Sequence, residues 1–336
     1  MARKASAGVS LNDVAKLAGV SAQTASRVAN GSSAVRPETK ERVIAAMRQL
    51  GYRPSFAARS LRLGSYHSIG LVMPNNVTTT GRRFQAEGMA VAAAEHHYAL
   101  TIVQVNDDEL TLEAASRRMA SLPVDGQILG LGLNPTDFDT FIPPAAINSV
   151  IISTKPHPWC PTVSNDQLAC STAIVEHLIS KGHREIRYAG GRPDSPANIE
   201  RCLGWKQTLQ QHGLPVSEPL FGDWTADSGY RMGAILAKDA ACTAIYAAND
   251  TMAIGIICAL RDAGRSVPHD VSVIGVDDSL VGIIPRLELS SYRFDHEQVG
   301  AAAFNLAISA PTSETPPHIL VPGALVERSS VVPPTH

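Results

Sequence analysis

From Ser68 onward the chain alternates short, β-rich apolar runs with longer stretches of helical pattern, and this alternation constrains its fold more than any other feature. The runs are 69–73, 100–105, 127–131, 150–152, 186–189, 244–248 and 271–276. Helical stretches fall at 82–97, 110–121, 170–181, 204–212, 227–237 and 250–263. Near-continuous apolar strands separated by helices belong to parallel sheets covered on both faces. So many elements exceed one compact sheet, so two α/β subdomains are expected. Ligands in such folds sit beyond the carboxyl ends of the strands, in the cleft between subdomains.

The segment ahead of this body differs in charge. Residues 1–65 hold eleven Lys/Arg against three acids, a net of +8, whereas residues 66–336 carry a net of −10. A compact basic head on an acidic body suggests that the head meets a polyanion, the alternative being a basic solubility tail. The head has helix punctuation that a tail lacks. Ser10 with Asp13 has capping-box spacing, and Val14, Leu17 and Ala18 then share one face. Gly19 supplies a turn, and Ser21 can cap a second helix, 22–29, with Ala25 and Val28 facing inward. Pro37 suits the first turn of a third helix, whose apolar stripe is Val43, Met47 and Leu50 and whose stop is Gly51.

Two short helices around a Gly turn, braced by a third, form a helix-turn-helix. Its second helix enters the major groove, where Ser21, Ala22, Gln23 and Thr24, then Ser26 and Arg27, are placed to meet DNA. Gln pairs with adenine, Arg with guanine, and the Ala methyl touches a thymine methyl. Ser21, Thr24 and Asn30 suit phosphate contacts that set register. A three-helix protein-binding module is the competing reading.

The run from Ser10 to Leu61 resembles the head of the lactose-repressor (LacI/GalR) family of bacterial transcription regulators. The resemblance is carried by Asp13-Val14-Ala15, Ala18-Gly19-Val20-Ser21, Thr24-Ala25-Ser26-Arg27-Val28-Ala29-Asn30 and Leu50-Gly51-Tyr52-Arg53-Pro54. Ala22 stands where some members place a larger base-reading side chain, and Ser55 where Asn is usual. The resemblance implies that 54–65 is a hinge helix and linker, paired with a second copy in the minor groove. Ser55 would contact DNA, Ala58 would allow close helix approach, and Leu61 would be the apolar wedge. So short a helix is marginal alone, and a flexible linker is the alternative.

The body resembles the family's periplasmic-binding-protein-like effector domain. The matching pieces are 176–184, 201–205, 222–230, 248–253 and 271–278. The expected organisation is a head at 1–53, a hinge at 54–65 and an effector and dimerisation domain at 66–336. Its subdomains would be about 66–165 with 296–321, and about 166–292 with 322–333. Arg201, Asn249 and Asp277 match effector contacts of sugar-responsive members, and Trp224 offers an aromatic face to a sugar ring. Asp166 stands where the chain crosses between subdomains, and Phe294 where some members carry an amide. The Gly-Asp-Trp context is similar to members that bind galactosides or related β-glycosides. A helix cap at Asp277 or Asp278, an ion pair at Arg201 and a core Trp224 are the plainer readings. Residues 292–295 look like a third crossover, 318–322 like a last strand.

The implied protein is a cytoplasmic, homodimeric, sequence-specific repressor of a pseudo-palindromic operator, controlled allosterically by a small carbohydrate. A co-repressor-type regulator with a non-sugar ligand and a plain sugar-binding protein are the alternatives. No apolar run approaches the ~20 residues of a membrane-spanning helix, and the N-terminus lacks a secretory core. The tail 331–336 lacks Leu heptads, which favours a dimer over a tetramer. Phosphate-loop, hydrolase-elbow and zincin motifs are absent, and no pair of catalytic carboxylates is recognisable, so neither an enzyme nor a cofactor is expected. Five odd, widely spaced cysteines read as reduced thiols rather than a disulfide framework or metal cluster.

Overall fold

The computed structural model describes residues 9–30, 32, 34–52, 60, 64–74, 80–106, 111–132, 135–309 and 315–335. The chain divides into two compact units, the first ending at Tyr66 and the second beginning at His67.

In the first unit, α1 (Leu11–Ala18) starts at the reciprocal cap that its sequence announces. The Asp13 N–H donates to Ser10 Oγ at 3.3 Å and the Ser10 N–H to Asp13 Oδ2 at 2.9 Å. Gly19 ends it with a left-handed φ of +62°. Then come α2 (Ala22–Ala29) and α3 (Pro37–Leu50), the latter stopped by Gly51. Val14, Ala15, Ala18, Ala25, Val28, Val43 and Ala46 form the small core, with Met47 and Leu50 half-buried against it. Leu17 is exposed rather than inward, because Ala15 takes the third position of the α1 stripe.

The second unit holds two six-stranded sheets among the described residues. The strands are β1 (Ser68–Pro74), β2 (Ala99–Val105), β3 (Gly126–Leu129), β4 (Asn148–Ile152), β5 (Thr162–Asn165), β6 (Ile186–Gly190), β7 (Leu220–Phe221), β8 (Ala244–Ala247), β9 (Ser272–Val276), β10 (Ser290–Phe294), β11 (His318–Val321) and β12 (Gly323–Val326). The helices are α4 (Thr80–Glu95), α5 (Leu112–Ala120), α6 (Gln167–Ser180), α7 (Pro196–Gln211), α8 (Ala226–Leu236), α9 (Asp250–Asp262) and α10 (His296–Ile308).

The first sheet runs β11-β5-β4-β3-β1-β2, all parallel, with Leu71 of β1 opposite Ile102 and Ile128. Its two faces are covered by separate apolar layers, one around Met89, Val299 and Phe304, the other around Leu112, Met119 and Phe138. The second sheet runs β12-β10-β9-β8-β6-β7, and β12 is its one antiparallel member. The chain passes between sheets after β5, after β10 and between β11 and β12. Helices α4 and α10 meet at glycines: a Cβ on Gly300 would fall 2.0 Å from the Gln85 carbonyl oxygen.

The structure corrects several boundaries. Residues 290–294 are a strand in the interior of the second sheet, so the crossover lies only at Asp295. Helix α7 begins at Pro196, a full two turns ahead of the expected start, and α6 at Gln167. Helix α10 and strands β5 and β7 were not read from the sequence. Neither Asp277 nor Asp278 caps a helix; Asp166 and Asn249 do. His96 and His97 are exposed just past α4. No helix among the described residues is long and apolar enough to cross a membrane.

Candidate nucleic-acid face and ligand cavity

On the first unit, Ser21, Ala22, Gln23 and Arg27 are exposed along α2, and Thr24, Ser26 and Asn30 are half-exposed. Some of this chemistry is already engaged. Ser21 Oγ accepts from the Thr24 N–H at 3.1 Å and bonds the Thr24 hydroxyl at 2.9 Å, so Ser21 is the helix cap. Asn30 donates its amide to the Ser26 carbonyl. Gln23 and Arg27, one turn apart, are the long polar side chains left on the exposed face. Ser55, Ala58 and Leu61 lie outside the described residues.

In the second unit a cavity of about 520 Å³ opens between the two sheets. Its wall is assembled from strand ends and helix starts. The first lobe contributes Gly81, Arg82 and Gln85 of α4, the 129–132 turn and Asn165; the second contributes Arg201, Asp223, Trp224, Asn249 and Asp277. Helix N-termini carry partial positive charge and unsatisfied N–H groups, so such a rim favours polar, electron-rich ligands.

Arg201 is the buried polar centre of this wall. Its Nε donates to Gln167 Oε1 at 2.7 Å, one terminal nitrogen donates to the Ala248 carbonyl, and the other lies 3.9 Å from Asp277 Oδ1. The guanidinium carbon is 5.7 Å from the Trp224 ring centre and 5.4 Å from that of Phe294. Burial pushes the Asp277 carboxyl up, but the His296 hydrogen bond and the Arg201 charge outweigh it and hold it below its ordinary value. Asp277 thus presents a charged acceptor to the cavity.

Its backbone is unusual: Asp277 and Asp278 both have left-handed φ, +94° and +50°. Asp278 is buried against Arg293 Nη2 at 2.6 Å and Arg328 Nη1 at 2.7 Å, and Asp250 Oδ2 accepts the Ser279 N–H at 2.7 Å. These bonds hold the turn that aims Asp277.

Trp224 also has left-handed φ (+72°), and its carbonyl accepts the Asn249 amide at 3.1 Å. Its ring lies on Gly191, where a Cβ would come within 2.4 Å. Asn249 spends its oxygen on the Met252 N–H at 2.8 Å, so it is both the cap of α9 and part of the cavity wall. The structure therefore brings Arg201, Trp224, Asn249 and Asp277 together. It does not bring Asp166 or Phe294 to the lining. Asp166 caps α6 through the Ala169 N–H at 2.8 Å, and Phe294 lies buried beneath Arg201.

Sequence reading missed Gln85, Asn165, Gln167 and His296. The one usable signal was Asp295 ahead of His296-Glu297, a helix-start pattern that would have placed His296 in a first turn.

Comparison with known proteins agrees with this layout. Residues 10–55 match the bacterial regulatory proteins of the lacI family, and residues 175–331 match the periplasmic binding protein-like domain. The chain is 33% identical over 338 residues to the HTH-type transcriptional regulator AscG of Escherichia coli (strain K12), covering 96% of this chain and 98% of that protein. It is similar to the lac repressor dimer bound to operator and the anti-inducer ONPF (TM-score 0.79, 25% identity, 97% of this chain and 99% of that one). It is also similar to the transcriptional regulator CelR in its cellobiose complex (TM-score 0.68, 27% identity, 96% of this chain and 99% of that one).

A helix-turn-helix unit followed by a two-sheet, periplasmic-binding-protein-like unit defines a class of DNA-binding regulator. The chain belongs to the lacI family of bacterial regulatory proteins and is a DNA-binding transcriptional regulator.

Proposed function

We propose that the protein is a repressor that binds a pseudo-palindromic operator as a homodimer and releases it when a small carbohydrate, a galactoside or another β-glycoside, enters the cavity. The observation that carries this reading is the pairing of Arg201 with Asp277 under Trp224. A charged donor, a charged acceptor and an aromatic face are what vicinal hydroxyls and the apolar side of a sugar ring require. Relatives point the same way: one similar structure is a repressor dimer on its operator, and another is a cellobiose complex.

The recognition set is Ser21, Ala22, Gln23, Thr24, Ser26, Arg27 and Asn30 on the head, with Ser55, Ala58 and Leu61 in the hinge. The effector set is Arg201, Trp224, Asn249 and Asp277, with Asp166 and Phe294 supporting it from behind. The coupling between sites is about 1–3 kcal/mol, as is typical of allosteric linkage.

Fluorescence anisotropy tests this. A duplex selected by the protein from a random pool is titrated at several salt concentrations, then challenged with cellobiose, lactose and simple aryl glycosides. A five- to hundredfold loss of DNA affinity with one of them is expected. If none shifts DNA affinity, the switch reading is wrong.

A further inference from the structure

His296 opens α10 directly after the crossover at Asp295, and its buried ring touches both lobes. Its Nδ1 lies 2.9 Å from Nδ2 of Asn165, at the end of β5, and its Nε2 lies 3.4 Å from Asp277 Oδ1, just after β9. The ring centre is 5.6 Å from that of Phe294 on β10. On the α4 side, a Cβ on Gly81 would fall 2.6 Å from the imidazole Cε1.

The Asp277 carboxylate selects the state of the ring. A carboxylate only accepts, so the imidazole nitrogen facing it, Nε2, carries the proton. In the neutral ring Nδ1 is then the acceptor, and the Asn165 amide nitrogen donates to it. Asn165 is left with its Oδ1 buried and without a partner, at a residue that lines the cavity. A buried acceptor in that condition gains by meeting a donor, and a ligand hydroxyl is such a donor.

We propose that His296 is a positioning residue of the ligand site: as the neutral Nε2–H tautomer it aims the Asp277 carboxylate and keeps the Asn165 side-chain oxygen available as an acceptor for a ligand hydroxyl. This deepens the effector reading above and rests on it. Loss of the Nδ1 acceptor leaves Asn165 Nδ2 without its partner. Asn165 then turns its amide end for end, and the NH₂ takes the place of the oxygen in the cavity wall. An acceptor becomes a donor, and the site loses affinity for the same sugar. The charged groups around the ring are Asp277 at 3.4 Å and, beyond it, Arg201. Arg82 of α4 lines the same cavity, while Asp295 and Glu297 flank His296 in the chain, the former's carboxylate engaged by the Gln298 N–H.

Long-range ¹H–¹⁵N spectra of the full-length protein read the tautomer, and the Asn165 side-chain amide pair reads its orientation. The Nε2–H form is expected. The Asn165 amide signals shift in His296→Phe, which offers no acceptor, and hold their place in His296→Gln, whose amide oxygen and nitrogen replace Nδ1 and Nε2–H. Calorimetry with cellobiose and lactose adds a functional readout: affinity for the sugar that binds falls about tenfold in His296→Phe and less than threefold in His296→Gln. An Nδ1–H tautomer, Asn165 amide signals that stay in place in His296→Phe, or equal losses of affinity in both variants overturns the inference. Failure of both sugars to bind the unaltered protein counts against the effector reading instead, and the spectra alone then decide the role of His296.

Discussion

Arg201 and Asp277 face each other 3.9 Å apart in a cavity wall that buries Arg201 and leaves Asp277 partly exposed, too far for a strong bond yet too close for either to be indifferent to the other. A gap of this size lets a ligand hydroxyl bridge the two charges. Arg201→Met keeps much of the volume but removes the donors. The sugar response is expected to weaken roughly tenfold to a hundredfold, since hydrogen bonds to charged groups contribute about 1.5–3 kcal/mol. The fold loses about 1–3 kcal/mol, because the partly buried Asp277 loses its cation and the Gln167 oxygen and Ala248 carbonyl lose a donor. Anisotropy with and without sugar measures the first, and denaturant melts the second. Operator affinity without sugar should survive wherever the variant remains folded.

Asp250 gives the second expectation, on pH. Its carboxyl is fully buried, and burial pushes its pKa up to about 7 despite bonds from Ser291 and Ser279. An acid whose folded pKa is raised binds more protons in the folded state than in the unfolded one. Stability therefore falls as pH rises between the unfolded value near 4 and about 7, by up to about 4 kcal/mol, and levels off above. His157, His177 and His183 act with the opposite sign, since burial holds each below its ordinary value. Their contribution is present above about pH 6.5 and is lost on acidification below it. Asp250→Asn removes the first slope and keeps the second. Its melting temperature is expected to rise from pH 5.5 to 7.5 relative to wild type, on top of a constant offset from replacing one carboxylate oxygen by an NH₂, with the remaining oxygen accepting the Ser279 N–H and the Ser291 hydroxyl turned to accept. Parallel curves for the two proteins would refute this.

Gly191 is the third. The Trp224 ring occupies the space a methyl would need. Gly191→Ala is expected to push the indole out of position, with an overpacking cost of about 1–3 kcal/mol. Sugar affinity should drop more than stability alone explains. Tryptophan emission, compared with the same change in a Trp159→Phe background, reports the displacement, because Trp159 is exposed and Trp205 is fully buried elsewhere in the second lobe.

How far the sequence alone reached depended on distance along the chain. The head was legible because its signals are local: Ser10 with Asp13, Gly19, Ser21 and Gly51 each act within one turn of a helix. Strand β10 was not, since Ser290-Ser291-Tyr292-Arg293-Phe294 lacks β-branched residues and owes its strand state to β9 and β12 on either side. Helix α10 is apolar on several faces because it is packed between α4 and the first sheet, so it showed no amphipathic period. In the cavity, Arg201, Asn249 and Asp277 were reached through resemblance. Asn165 and His296, 131 positions apart, become partners only through the crossovers.

The last expectation concerns α2, where two kinds of side chain should separate in experiment. Gln23 and Arg27 are exposed and one turn apart, whereas Ser21 is bound to Thr24 as the helix cap. Gln23→Ala or Arg27→Ala removes the groups proposed to read bases without touching the core. Each is expected to cost about 1–3 kcal/mol of operator affinity, concentrated at one base pair, while the melt of the head moves by no more than about 0.5 kcal/mol. Ser21→Ala should instead destabilise the head by about 1 kcal/mol through the lost cap, and weaken binding evenly across operator variants. Titrations against duplexes carrying single base-pair changes discriminate the two patterns. If Gln23→Ala and Arg27→Ala weaken all duplexes equally, α2 grips the backbone and reads no bases.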